Sequence, residues 1–211
     1  MIRKVINKLR KKTLGHIFHE LMYNNDLWKV SGTISGPGST IENTQSIRKE
    51  IPELLKRLEI KSVLDAPCGD LNWMSQLELN EINYVGVDIV KRLIKENKLK
   101  YPGKIFIVAD ITKDNLPYTD LVICRDCFIH LSNNQIKAAI KNFRKSGTKY
   151  LLTNSYNFID SNVDISPGDF RMINLKLSPF SLPEPEYVIS EDYTSGYPDK
   201  YLGLWKINNE D

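Results

Sequence analysis

From Lys61 onward the apolar residues fall in short blocks separated by amphipathic stretches, and the blocks themselves show no polar alternation. Runs of this kind fit strands covered on both faces, as in a parallel sheet. The pattern predicts strands near 61–66, 83–88, 104–110, 119–125 and 148–155, with helices near 71–79, 90–100 and 132–145 between them. The last of these helices opens at Ser132-Asn-Asn-Gln135, which has the form of a capping box. Strand and helix in this alternation give right-handed crossovers and an open, doubly wound α/β sheet. After residue 155 the rhythm stops. Residues 156–185 contain Pro167, Pro179, Pro183 and Pro185 and no helical period, and a stretch longer than a connection needs is often functional. Two more strands, near 186–192 and 201–207, are separated by a turn with Gly196 and Pro198; they predict an antiparallel hairpin closing one sheet edge.

Ahead of this pattern, Ile2, Val5, Ile6 and Leu9 recur at helical spacing with basic residues opposite, so a helix is expected over residues 2–24. It reads either as a solvated lid or as a weak contact for a membrane surface or acidic partner. The loop Ser31-Gly-Thr-Ile-Ser-Gly-Pro-Gly-Ser39 ends where Ser39 or Thr40 can cap a helix running to about Leu58. Backbone N–H groups at such a junction suit an anion such as a carboxylate. Residues 1–58 therefore read as a helical cap with a glycine loop, and residues 59–211 as the main domain, including the irregular 156–185 stretch.

A chain of 211 residues, 41% hydrophobic and 26% charged, has the size of one domain with an appendage. Its net charge of +3 arises partly from Arg3, Lys4, Lys8, Arg10, Lys11 and Lys12, so the body is slightly acidic and a nucleic-acid substrate is not demanded. No apolar run approaches the length of a membrane span. The basic start is followed by no apolar stretch and cleavage site, so no secretory signal is expected; three cysteines then predict a reduced, cytoplasmic chain.

The candidate chemistry lies at the strand ends. Ser62-Val-Leu-Asp-Ala-Pro-Cys-Gly-Asp70 runs apolar into Asp65, breaks at Pro67-Cys68-Gly69 and restarts at Asp70. The next two strands end at Asp88 and Asp110. Carboxylates at three neighbouring strand ends suit a ligand rich in hydroxyls and amines, bound where open α/β sheets bind ligands.

These segments resemble the class I S-adenosylmethionine-dependent methyltransferases. Val63-Leu-Asp-Ala-Pro-Cys-Gly-Asp70 is similar to that family's first motif, Tyr84-Val-Gly-Val-Asp88 to the second and Ile107-Val-Ala-Asp-Ile111 to the third. Leu121-Val-Ile-Cys-Arg-Asp-Cys-Phe-Ile-His-Leu131 is similar to the segment after the fourth strand, and the likeness spans roughly residues 30–207. Pro67 departs from it, standing where a glycine is usual. The resemblance implies a Rossmann-like fold and S-adenosyl-L-methionine as cofactor. It implies contacts to the cofactor from Asp65, Pro67, Cys68, Gly69 and Asp70, with Asp65 orienting the turn or meeting the methionine ammonium. Asp88, with Ile89 beside it, would accept from the ribose hydroxyls; Asp110 would accept from the adenine amine, with Ile111 against the ring. Ser39 and Thr40 are expected at the same ligand, and Arg125 and Asp126 near the methyl group.

For the transfer itself, His130 and Asp126 are the candidate bases, His130 because a near-neutral pKa suits proton abstraction at physiological pH. His130 also reads as a packing residue, and Asp126 as a substrate anchor. Arg171 would clamp a phosphate or carboxylate, and Asn154 and Tyr156 would bond a sugar hydroxyl. No metal is expected. Asp126 and Asn154 stand roughly where some relatives hold magnesium, but Thr153 and Ser155 flank Asn154, so a second carboxylate is missing. Cys124, Cys127, Cys68 and His130 have the composition of a zinc site, yet Cys124 falls inside an apolar strand. The tail is similar to those of small methyltransferases of bacterial surface-polysaccharide biosynthesis. It implies transfer to a hydroxyl of a sugar, nucleotide sugar or phosphorylated glycan precursor. The alternatives are N-methylation of an amine or a macromolecule, and a non-catalytic cofactor-binding partner.

Overall fold

Seven strands share one sheet, in the order β3-β2-β1-β4-β5-β7-β6, in a computed structural model that describes residues 22–79, 81–191 and 199–207. The strands β1 (Ser62–Asp65), β2 (Asn83–Asp88), β3 (Ile105–Val108), β4 (Leu121–Cys124) and β5 (Tyr150–Tyr156) are parallel. The two C-terminal strands, β6 (Tyr187–Ser190) and β7 (Lys200–Lys206), pair antiparallel. Three helices, α1 (Gln45–Arg57), α2 (Lys91–Lys100) and α3 (Asn133–Lys145), cover the two faces.

Alternation along each strand splits the core into two layers. Val63 of β1 points to the layer that holds Ile47, Ile51, Leu54 and Leu55 of α1 and Ile94 of α2. Its neighbour Leu64 points to the opposite layer, with Ile136, Ala139, Ile140 and Phe143 of α3. The capping box at α3 forms as expected, with the Ser132 hydroxyl accepting from the Gln135 N–H and the Gln135 side chain accepting from the Ser132 N–H.

The expected hairpin is present, but its second strand lies inside the sheet. Strand β7 inserts between β5 and β6, pairing with β5 over seven residues from Tyr150↔Lys206 to Tyr156↔Lys200. The burial patterns explain the order. Six of the seven β7 residues are buried, whereas β6 exposes Val188 and Ser190 and suits an edge.

The helix expected over 71–79 is not formed; a single 3-10 turn, Met74–Gln76, stands in its place. Leu71 adopts a left-handed φ of 58°, and the Asn72 amide donates to the Ser39 carbonyl. Trp73, Met74, Leu77 and Leu79 are all buried in the α1 layer, so packing fixes this segment and no helical ladder is needed. Helix α1 likewise starts later than its loop suggested, after short 3-10 turns at Pro37–Ser39 and Glu42–Thr44. Most of the expected 2–24 helix lies outside the described residues; residues 22–24 are helical. Among the described residues, no helix is long and apolar enough to cross a membrane.

Candidate active site

Strands β1, β2 and β4 end side by side, and the residues at and just beyond those ends line a cavity of about 300 Å³. At one end the backbone turn after β1 is anchored to β2. The Cys68 N–H donates to the Val87 carbonyl at 2.8 Å. The Asp88 carboxylate accepts from the Gly69 N–H at 3.1 Å and from the Val90 N–H at 2.9 Å. Gly69 is left-handed, with φ 55°, and a Cβ there would sit 2.5 Å from the Ser35 hydroxyl. Any side chain at this position would therefore be strained and would displace the loop over the site. The Asn97 amide of α2 holds the Gly69 carbonyl from below at 2.7 Å.

The two carboxylates here are almost wholly buried. Asp65 accepts from the Tyr84 hydroxyl at 2.6 Å, and burial pushes it up to about 7 against that bond. Burial likewise raises Asp88 to about 6, against the N–H donors it accepts from. Both line the cavity, together with Pro67, Cys68, Ile89, Asp110 and Ile111. Asp110 is tied locally, accepting from the Thr112 N–H and hydroxyl on Oδ1 and pairing with Lys113 on Oδ2 at 3.1 Å.

The glycine loop binds a carboxylate, but the carboxylate is the chain's own. Asp70 Oδ2 accepts from the Thr33 hydroxyl at 2.7 Å and the Ile34 N–H at 2.8 Å, and Oδ1 accepts from the Ser35 hydroxyl at 3.0 Å. Asp70 thus latches the loop over the β1 turn. Ser39 lines the cavity. Thr40 does not: its hydroxyl accepts from the Asn43 N–H, a local cap.

At the other end, four charged side chains from three strand ends form one network. Arg125 follows β4 and donates through Nε and Nη2 to Glu191, which follows β6. Arg125 Nη1 meets Asp126 at 3.0 Å. Lys200, at the start of β7, meets Asp126 at 2.8 Å and Glu191 at 3.2 Å. Asn154 of β5 completes it, accepting from the Asp126 N–H and donating to Glu191. Asp126 is the member nearest solvent, its side chain 24% exposed against 4% for Arg125 and Lys200 and 0% for Glu191. Burial opposes its ionisation, but the Arg125 and Lys200 charges outweigh burial and hold it at about 2. A carboxylate held so low is a poor proton acceptor at neutral pH and a good hydrogen-bond acceptor. Its backbone is left-handed at φ 53°, and Gly38 approaches so closely that a Cβ there would lie 2.6 Å from Asp126 Oδ2.

His130 stands beside this network, at the end of a 3-10 turn (Phe128–His130). Trp28 stacks on its ring at 5.6 Å between centroids, and Phe170 lies 5.9 Å away on a tilted plane. Burial lowers its pKa. That shift favours the neutral ring. Tyr156 is buried and lines the cavity. Two expected acceptor contacts are used elsewhere. Asn154 spends its amide on Asp126 and Glu191, and Arg171 directs its guanidinium at the Leu131 carbonyl and Asn133, outside the cavity lining. Among the described residues, no three His, Cys, Asp or Glu side chains cluster to hold a metal.

The sequence matches the methyltransferase domain family over residues 63–147, from β1 through α3. No curated protein sequence matches it. Solved structures match over most of their length at low identity. A SAM-dependent methyltransferase from Leishmania major is 16% identical, covering 94% of this chain and 89% of that one, with a TM-score of 0.64. The 1,6-didemethyltoxoflavin-N1-methyltransferase of Burkholderia thailandensis, solved with S-adenosylhomocysteine, is 9% identical over 93% and 92%, with a TM-score of 0.63. A protein from Pyrococcus horikoshii is 20% identical over 82% and 96%, with a TM-score of 0.57. The fold is that of the class I methyltransferases.

Within this methyltransferase fold, sequence reasoning missed Glu191, Lys200, Trp28 and Phe170. Glu191 and Lys200 carry a weak local signal, a charged residue bounding an apolar strand, which any surface residue also gives. Trp28 and Phe170 sit in irregular segments with no period to mark them. Their partners are far away in sequence, and only the strand order brings them together.

Proposed function

We propose that the chain is a methyltransferase that uses S-adenosyl-L-methionine and delivers the methyl group to a hydroxyl of a small ring-bearing acceptor such as a sugar. The observation that carries the reading is the pair of buried carboxylates, Asp65 and Asp88, held only by neutral donors among the described residues. No cation among the described residues is hydrogen-bonded to either, although the Arg125 charge acts on Asp65, and a ligand bearing an ammonium and a sulfonium would supply one. The donor set fits the cofactor: Asp88 for the ribose hydroxyls, Asp65 for the ammonium, Ile89 and Ile111 against the adenine, with Asp110 and Ser39 at the rim.

When bound, the cofactor supplies a methyl group already activated for displacement. The chain's task is then alignment, exclusion of water and removal of one proton. His130 is neutral and would take the hydroxyl proton at Nε2 as the acceptor oxygen gains the methyl. Ionised Asp126 would accept a hydrogen bond from the acceptor and orient it. Trp28 and Phe170 would offer an apolar wall to a ring. The Arg125 and Lys200 charges are already answered by carboxylates, which favours an uncharged acceptor over a phosphorylated one. An ionised Asp126 would equally receive an amino group, so N-methylation is the second reading.

Calorimetry with S-adenosylmethionine and S-adenosylhomocysteine tests the first step, and both are expected to bind. A methylation screen then sets neutral sugars beside nucleotide sugars, sugar phosphates and amines. Failure of both cofactor forms to bind would end the reading; transfer to amines alone would replace it with the second.

A further inference from the structure

The turn that carries His130 is too short to hold its own side chains, and segment 168–171 holds it instead. The Gly168 N–H donates to the His130 carbonyl at 2.8 Å, and the Arg171 N–H donates to the Ile129 carbonyl at 3.0 Å. The Asp169 carbonyl lies 2.9 Å from His130 Nδ1. A carbonyl can only accept, so Nδ1 carries the proton and the lone pair resides on Nε2. The Arg171 side chain then fastens this segment to the chain beyond the histidine. Nη1 donates to the Leu131 carbonyl at 2.7 Å, and Nη2 donates to Asn133 Oδ1 at 2.8 Å, on the first residue of α3. Arg171 is only 9% exposed, and among the described residues its buried Nε has no hydrogen-bond partner. An unsatisfied donor on a buried cation is costly. An apolar residue would fill the space without that cost, so the guanidinium does something packing alone does not require.

We propose that Arg171 is a positioning residue: it staples segment 168–171 across the His130 turn and thereby keeps the imidazole in its Nδ1-protonated form. The inference rests on His130 being the base. Two charged side chains bear on the ring, Asp126 from the end of β4 and Arg171 from the irregular segment; Trp28 and Phe170 flank it without charge. Burial contributes most to lowering the proton affinity of the ring, the Asp169 carbonyl and Asp126 oppose it, and the Arg171 cation adds to the lowering.

Nitrogen-15 imidazole NMR tests this without any acceptor, on the full chain with and without S-adenosylhomocysteine. The chain has three histidines, and the signal lost in His130→Gln assigns the right one. In the parent protein His130 is expected as a single Nδ1–H tautomer. In Arg171→Met the two tautomers should mix, because the Asp169 carbonyl is no longer held against Nδ1. In Arg171→Lys, which keeps the charge and loses the fork, the tautomers should mix as well. An unchanged single tautomer in Arg171→Met overturns the proposal. Should that variant not fold, Asn133→Ala and Gly168→Ala, whose glycine has φ 89°, loosen the same staple and decide it in the same way. A His130→Gln protein with full turnover would refute the base reading while leaving the tautomer result intact.

Discussion

The two ends of the cavity hold their carboxylates by opposite means. At the β1–β2 end, Asp65 and Asp88 meet a tyrosine hydroxyl and backbone N–H groups, and burial raises them to about 7 and about 6. At the β4–β7 end, Asp126 and Glu191 are locked to Arg125 and Lys200, and Asp126 is held at about 2 despite burial. One end is electrostatically incomplete and suits a cationic ligand. The other is complete before any ligand arrives and serves as a frame. Charge at a strand end therefore does not by itself mark a ligand contact; what answers that charge does.

The contrast breaks most visibly at His130, on the frame side. His130→Gln should reduce turnover by about 10²–10⁴-fold, with S-adenosylhomocysteine affinity preserved by calorimetry. A loss of affinity in place of turnover would assign His130 to cofactor binding. Next comes the frame itself. Glu191→Ala leaves Arg125 and Lys200 buried with one carboxylate between them, and should cost about 3–5 kcal/mol in urea unfolding. A cost of surface-pair size would mean that the network is open to water.

Asp88→Asn probes the incomplete end. It should weaken S-adenosylhomocysteine by about 10–100-fold, the worth of hydrogen bonds to a charged group, while unfolding stability changes little. Smallest at any one pH is a slope. The folded chain keeps a proton on Asp65 from the ordinary value of 3.8 up to about 7, whereas the unfolded chain releases it near 3.8. The unliganded protein should therefore lose stability as pH rises through that window. Asp126 works in the opposite sense, its contribution being present above 3.8 and lost as pH falls towards about 2. Asp88, raised to about 6, adds a slope of the same sign below that value, so urea midpoints in Asp65→Asn should lose the slope between about 6 and 7 and keep part of it below; an unchanged slope above 6 would assign it elsewhere.

The β1–β2 end of the cavity was legible because its signals are local. Asp65, Asp88 and Asp110 each terminate an apolar run, and Gly69 sits in the turn between a strand and its acid. The helix over 71–79 was misread because Leu71, Met74 and Leu77 have helical spacing, yet the segment is pinned by core packing and a left-handed residue. The partners of Arg171 and Asn154 within the protein were hidden for a related reason. Residue type identifies what a side chain can bond and leaves open whether the fold has already supplied the partner.

Sequence alone thus determined the alternation of strand and helix, the parallel sheet and the row of acids at its early strand ends. All of these follow from apolar periodicity and turn chemistry within a few residues. Tertiary structure alone decided that β7 enters the sheet beside β5, that Glu191 and Lys200 meet Arg125 and Asp126, and that segment 168–171 fixes His130. Those contacts join residues some 40 to 75 positions apart, and no local pattern encodes a partner that only the strand order brings near.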